Sequence, residues 1–588
     1  MKNDANRRLA NVKSRSELGL DYVMLQLEIM SPLGRRTMKE NKPFFPGQED
    51  KLRTELDNLD SLISFIKAYP HLNNKIQEVF MEVKDSLNTV LKSEKTTLSI
   101  VEIHEVKSLL LQMRQLLKLT KDKEEGDYRS ECGCIKELKL NKASDDTNEL
   151  VEQQYAISSK AQTEDVDIPD IYFLEDTEEL LNILDPRKDR LNTFYIYDEF
   201  SSTLASYRKE KRELELSIRR AQKSAREDLR KSEGICLTPK FDIVVARSNP
   251  DLEKIKSLDM LEETDQDYMS ITFRLKATPE VNEYTQKIES INIQIEAEEE
   301  RIAEQLSKKI AEYSDVMSNN CKIMGKLEFD LAKAIFSIKR RLTKPEIVDE
   351  HVVEFSDARN LQVEGVLNAK GKEFCPISIE LKDGVTCITG ANMGGKTISL
   401  KLVGQVAILA HYGFFVPAKS AKIGLSNYMH ILIGDSQSVE RGLSSFGSEM
   451  EELKQILDFG TDRSMILIDE IASGTNPVEG LALTKSIVDY LIVKPYISLI
   501  TTHFETVTEK EGVVNMQVRG LSGVDFNLLD REIKYANRRD RINIISKYMD
   551  YRLRRVDKIG EVPKDALNIA KMLGISKEII DGAKKYIK

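Results

Sequence analysis

The chain has 588 residues, of which 31% are charged, 41% apolar and 6% aromatic, with no Trp and a formal charge of -10. At about 100 to 200 residues per domain this length holds roughly three to five domains, so a single small module is excluded. With 87 Lys+Arg against 97 Asp+Glu the average surface repels nucleic acid and anionic membranes, and a polyanion partner requires a local basic patch.

In chain order, Met1 to Arg8 is polar and basic with no apolar run of signal-peptide type behind it. Residues 16 to 120 read as amphipathic helices, with Leu52, Leu56, Leu59, Leu62, Ile63 and Ile66 at spacings of three and four. They open an all-α core over 1–200. From about 121 to 170 the apolar periodicity fades into polar runs such as Lys121 to Asp127, which predicts an exposed insertion. It contains Cys132 and Cys134, the closest pair among six cysteines. That scatter is no secreted disulfide framework, and with no His nearby the pair reads as an incidental loop in a reducing cytoplasm.

Two long stripes follow. Leu204, Tyr207, Leu214, Ile218, Ala221, Ala225 and Leu229 predict one long helix over 201–235. Val281, Tyr284, Ile288, Ile291, Ile295, Ile302, Leu306, Ile310, Tyr313 and Met317 predict a second over 278–318, with Glu298 interrupting its seam. Thr278 then Pro279 supplies a cap and a first-turn proline, and at 1.5 Å per residue some 40 residues make a rod of roughly 60 Å. Between them, within 236–277, Phe241 to Ser248 and Met269 to Leu275 have strand character. An antiparallel lever carrying a small β head is expected, with a return helix over 319–345.

After Pro345 the texture changes to short apolar runs punctuated by Gly. Val385 to Thr389, Met465 to Ile468 and Tyr496 to Thr502 alternate with helical segments, the pattern of a parallel sheet with crossover helices over 346–550. The most apolar stretch, Val403 to Val416, contains Gln405 and His411 and falls short of the roughly 20 residues that span a bilayer. A soluble, cytoplasmic chain with no membrane partner is expected.

Gly390-Ala391-Asn392-Met393-Gly394-Gly395-Lys396-Thr397 fits the phosphate-loop pattern and stands between a predicted strand and a predicted helix, as that motif requires. Its glycines let backbone N–H groups converge on phosphate oxygens at a helix N-terminus. Lys396 then pairs with the β and γ phosphates of ATP, and the Thr397 hydroxyl binds Mg²⁺. The strand ending in Asp469 and Glu470 delivers two carboxylates where open parallel sheets bind ligands. Asp469 is expected to hold Mg²⁺ and Glu470 to act on water as general base. Thr501-Thr502-His503 ends a further strand, and His503 is placed to sense the γ-phosphate.

With Ser444-Ser-Phe-Gly-Ser-Glu-Met450, Asp469-Glu-Ile-Ala-Ser-Gly-Thr475 and Thr501-Thr-His-Phe504, these motifs resemble the MutS family of ATPases. Ala566-Leu-Asn-Ile-Ala-Lys-Met-Leu-Gly-Ile-Ser looks like the family's C-terminal helical segment, taken here as a dimerisation element over 551–588. Leu18-Gly-Leu-Asp and Ser31-Pro-Leu-Gly34 look like the start of its helical core. The resemblance implies an ABC-type homodimer with ATP sites between subunits, in which Ser444, Ser445 and Phe446 reach the partner's γ-phosphate. Family members that detect mismatches carry an N-terminal wedge domain, whereas here the core begins within about 20 residues of the start. Gly434 to Glu440 and Gly474 to Gly480 look closer to the second MutS branch, which has no mismatch domain and commonly ends in a nuclease domain.

Two clients fit this engine. Residues 208–231 carry ten Lys or Arg against five acids, a net charge of +5, and Arg208, Lys209, Lys211, Arg212, Arg219, Arg220 and Lys223 are the candidate DNA contacts of an ATP-driven clamp. The acidic composition favours the alternative, a MutS-like ATPase that remodels a protein client and resembles those reactivating cobalamin-dependent aminomutases. A chromosome-organising ATPase is disfavoured, because in that class the phosphate loop precedes the coil and the Asp-Glu strand follows it.

Overall fold

The computed structural model describes residues 8–122, 166–390, 395–434, 445–472, 474–521, 524–535, 544–545, 547–556 and 565–586. Most of the expected 121–170 insertion, Cys132 and Cys134 included, lies outside them. Among the helices at the front of the chain are α1 (Pro32–Glu40), α2 (Glu49–Ala68), α3 (Ser202–Glu233), α4 (Pro279–Glu312) and α5 (Ser314–Arg340). Three more, α6 (Lys396–His411), α7 (Ser445–Phe459) and α8 (Pro477–Ile492), alternate with strands behind them. Chain contacts divide into two compact units, one of residues 1–80, 147–172 and 324–588, the other of 81–146 and 173–323. Among the described residues no helix is long and apolar enough to cross a membrane.

In the second unit α3 and α4 run side by side in opposite directions, with Leu204, Ala225 and Leu229 buried on α3 and a stripe that includes Ile291, Ile295, Ile302 and Leu306 buried on α4. Each helix is capped at its N-terminus by a hydroxyl side chain. Ser201 caps α3 by accepting from Leu204 N, and Thr278 caps α4 with Pro279 in its first turn. Glu298, the interruption in the seam, accepts hydrogen bonds from Ser201 Oγ at 2.6 Å and from Arg301 at 2.6 and 2.8 Å. Arg301, then Ser201, hold its carboxyl down to about 2. The helix expected to reach residue 318 ends at Glu312, where Tyr313 turns out of the helix and its hydroxyl donates to Glu179.

The β head between them has three strands, β1 (Asp242–Ala246), β2 (Leu261–Gln266) and β3 (Ser270–Leu275), in the order β1-β3-β2 and all antiparallel. Its core is Leu229, Ile235, Leu237, Val245, Leu252, Ile255, Leu261, Ile271 and Phe273. Strand β2 is one more than the sequence predicts, and past Leu261 its residues are exposed and mostly acidic. Met269, where the expected strand begins, lies just before β3 and is exposed.

The first unit holds two sheets, formed by β4 (Glu346–Val348), β5 (Val352–Ala358), β6 (Ile377–Lys382), β7 (Gly384–Thr389), β8 (Ser420–Gly424), β9 (Tyr428–Ile433), β10 (Ser464–Asp469), β11 (Tyr496–Thr501), β12 (Val513–Gly520) and β13 (Asp550–Arg555). A six-stranded sheet has the order β13-β12-β7-β11-β10-β9 and is parallel except for β13. The smaller sheet has the order β4-β8-β5-β6. Every residue of β10 and β11 is buried, as expected of a parallel sheet covered on both faces. Residues 550–555, where a helical tail is expected to begin, alternate Tyr551 and Leu553 with arginines and form the antiparallel edge strand. Helices follow at Asp565–Met572 and Lys577–Lys584.

His411 and His430 are among the buried histidines of this unit. His411 sits between the Phe44 carbonyl at 2.8 Å and the Ser426 N–H at 3.1 Å, which fixes its tautomer as Nδ1–H. Burial pushes His411 and His430 down to about 4. An unfolded histidine titrates near 6.5, so the folded state resists protonation that the unfolded chain accepts. The resulting stabilisation is complete above about pH 6.5 and is lost as pH falls toward 4, by roughly 3 kcal/mol per histidine. Urea unfolding followed by tyrosine fluorescence should therefore move to lower denaturant between pH 7 and pH 4.5 in the wild type, and by less in His411→Asn.

Candidate functional site

Strand β7 runs into Gly390, whose φ of +128° only glycine adopts at ease, and Gly395, at φ +80°, is the N-cap of α6. Residues 391–394 of the expected loop lie outside the described residues. A Cβ on Gly395 would stand 3.1 Å from the Tyr551 ring of β13, so the edge strand also restricts this position to glycine.

Lys396, the first residue of α6, is 3% exposed. Its Nζ donates to Gly390 O at 2.9 Å and His503 Nδ1 at 3.2 Å, and lies 3.2 Å from Glu470 Oε1. Burial pulls the ammonium below the usual lysine range, and Glu470 opposes that. His503 Nε2 is 2.8 Å from Glu470 Oε2. Because Nδ1 accepts from Lys396, the Nε2 carries the proton and donates to Glu470.

One residue on, Thr397 Oγ1 donates to Asp469 Oδ2 at 2.8 Å. The other carboxylate oxygen, Oδ1, accepts from Thr501 Oγ1 at 2.5 Å. Thr501 also takes the Glu470 N–H, through its Oγ1 and its carbonyl, both at 3.1 Å. Thr501 belongs to a motif the sequence singled out, but no role was expected of it; its use becomes visible only when β11 pairs with β10. Glu470 has a φ of +49° and Ala472 one of +59°, left-handed conformations that strain a residue with a side chain.

The structure thus brings Lys396, Thr397, Asp469, Glu470 and His503 together. Ser444 lies outside the described residues, as does the side chain of Ser445, while Phe446 packs against the apolar core of the six-stranded sheet. The α3 cations belong to the other unit, and three of them have internal partners. Arg208 donates to Asp198 and to Glu299 of α4, both at 2.6 Å, and to Ile196 O at 2.8 Å, while Arg212 reaches Asp198 at 3.5 Å. Lys209 stands 4.0 Å from Glu213. Lys211 is half-buried, and Arg219, Arg220 and Lys223 are exposed.

Chemically, a buried ammonium beside a glycine-flanked helix N-terminus suits a phosphate chain. The Thr397 hydroxyl and Asp469 carboxylate are hard oxygen donors of the kind Mg²⁺ takes. Among the described residues no cluster of three or more His, Cys, Asp or Glu is placed to hold a metal, so a magnesium here would draw its other ligands from phosphate and water.

Replacing Thr501 with Val removes a hydroxyl of the same shape and leaves one Asp469 oxygen without its donor. The expected loss is about 1–3 kcal/mol of unfolding free energy, measurable by denaturant titration, with Thr501→Ser retaining most of it.

Residues 386–588 match the family model for MutS domain V. A protein named Endonuclease MutS2 from Clostridium botulinum (strain Okra / Type B1) is 35% identical over 239 residues, 40% of this chain and 30% of that protein. Its namesake in Lactiplantibacillus plantarum is 32% identical over 291 residues, 49% of this chain and 33% of the other. Another, in Caldanaerobacter subterraneus subsp. tengcongensis, is 29% identical over 317 residues, 52% and 36% of the two chains. The match spans about a third of the length of these curated relatives.

Proposed function

We propose that this chain, whose residues 386–588 match MutS domain V, is a MutS-family protein close to MutS2 and a P-loop ATPase of ABC type whose nucleotide cycle opens and closes a homodimeric clamp on DNA. The observation that carries the ATPase reading is the meeting of Lys396, Thr397, Asp469, Glu470 and His503 at the ends of three neighbouring strands.

Each group has work in splitting ATP into ADP and phosphate. Lys396 trades the Glu470 carboxylate for the β and γ phosphate oxygens, which leaves Glu470 to orient a water and take its proton. His503 keeps Glu470 in place through its Nε2–H and faces the terminal phosphate. Thr397 and Asp469 would hold Mg²⁺, which supplies charge neutralisation to the phosphates when bound. The loop of residues 390–397 cradles the phosphates, and the Ser444, Ser445 and Phe446 segment completes the partner's site in the dimer.

The clamp reading draws on α3, where Arg219, Arg220 and Lys223 present exposed cations near the β head. A second reading, remodelling of a protein client such as a cobalamin-dependent aminomutase, is favoured by one observation: the exposed face of β2 carries Glu262, Glu263 and Asp265, which repel phosphates. The endonuclease in the relatives' name belongs to those proteins.

Lys396→Ala should abolish hydrolysis and strongly weaken nucleotide binding, whereas Glu470→Gln should bind nucleotide but lose about 10²–10⁴-fold in turnover. Turnover retained in Glu470→Gln would remove the assigned base. For the client, labelled duplex DNA should bind more weakly as salt rises from about 50 to 200 mM and should stimulate hydrolysis, with both effects reduced in an Arg219→Glu, Arg220→Glu, Lys223→Glu variant. DNA that neither binds nor stimulates leaves the protein-client reading.

A further inference from the structure

The turn after β10 is gripped by a carboxylate to which the ATPase reading gives no role. Glu449 lies one turn into α7 and is 6% exposed. Its Oε2 accepts a 2.9 Å hydrogen bond from the backbone N–H of Ala472. Its Oε1 faces Gly434, just beyond β9, where an added Cβ would come within 3.2 Å. From the other side α8 closes on the same turn: a Cβ on Gly480 would stand 2.7 Å from the Ala472 carbonyl oxygen, and Thr484 Oγ1 lies 3.5 Å from Ile471 O.

The grip coincides with the strain. Glu470 and Ala472 are both left-handed without being glycine, a conformation that persists only where the surroundings over-determine it. Glu449 supplies one of those determinants, at a cost. Burial pushes its carboxyl up, against the Ala472 hydrogen bond. It forms no ion pair among the described residues, so the Ala472 hydrogen bond is the contact that offsets its burial.

We propose that Glu449 is a positioning residue. By fixing the Ala472 amide it holds the strained turn that aims Glu470, and it ties that aim to α7, the helix that opens with Ser445 and Phe446. A displacement of the start of α7 therefore reaches the general base through one side chain. The inference rests on the ATPase reading above and adds to it the residue through which α7 and the base communicate.

The test compares Glu449→Ala and Glu449→Gln with the wild type in the full chain. Glu449→Ala is expected to lower kcat about tenfold or more while KM and the affinity for a non-hydrolysable ATP analogue stay within about twofold. Amide exchange, followed by mass spectrometry, should quicken over residues 470–476 and stay unchanged over β10. Glu449→Gln keeps an acceptor oxygen and should recover turnover to within about threefold of wild type. Wild-type kcat in Glu449→Ala, an affinity that falls in step with kcat, or a Gln variant as poor as the Ala variant overturns the role. Failure of the ATPase reading would show separately, as a wild-type chain without turnover.

Discussion

Strands β10, β11 and β7 lie side by side in parallel with unbroken register, which sets Asp469 beside Thr501 and Thr501 beside Ile388. In a parallel sheet all the C-terminal ends lie along one edge, so residues far apart in sequence arrive at one level by backbone pairing alone. Lys396 and His503, 107 positions apart, meet at 3.2 Å, and Thr397 and Asp469, 72 apart, at 2.8 Å. A one-residue slip of β10 would turn Asp469 to the other face and break the set. The register is specified strongly because β10 and β11 are buried at every position.

That edge concentrates charge where little water reaches. Lys396 is nearly enclosed and Asp469 is 9% exposed, and burying such groups singly would cost several kcal/mol each. The structure offsets this by saturation: both Asp469 oxygens accept hydroxyl donors, and Lys396 finds a carbonyl, an imidazole and a carboxylate. Such a network holds its members rigidly, since loss of one leaves another unpaired. It also explains why a strained backbone is tolerated at Glu470, whose N–H is claimed twice by Thr501.

Much of this was legible in the sequence, and the reasons are specific. The loop from Gly390 to Thr397 declares itself because glycine at fixed offsets and Lys396 have few other uses between a strand and a helix. Strands β7, β10 and β11 are apolar runs whose expected limits differ from the observed ones by a residue or so. Strand β2 escaped notice because Leu261-Glu-Glu-Thr-Asp-Gln266 has only one buried side chain and gains its place by pairing with β3. Thr501 and Glu449 were silent for a different reason. Their partners, Asp469 and Ala472, are chosen by tertiary packing, and neither residue type at its position signals the bond it makes. Glu298 was visible as a flaw in a hydrophobic stripe, but its partner Ser201 lies 97 residues away on the facing helix.

That flaw has a mechanical consequence. A pair of helices joined by a purely apolar seam can creep along its length, since one heptad of leucine and isoleucine packs much like the next. With Glu298 seated on Ser201, creep by one heptad would break the hydrogen bond between the two helices, while the Arg301 bonds, lying within α4, would travel with the carboxylate. The seam behaves as a keyed shaft with a single phase. Sliding of α3 along α4 therefore breaks a specific polar contact, which a purely apolar pair of equal length would lack.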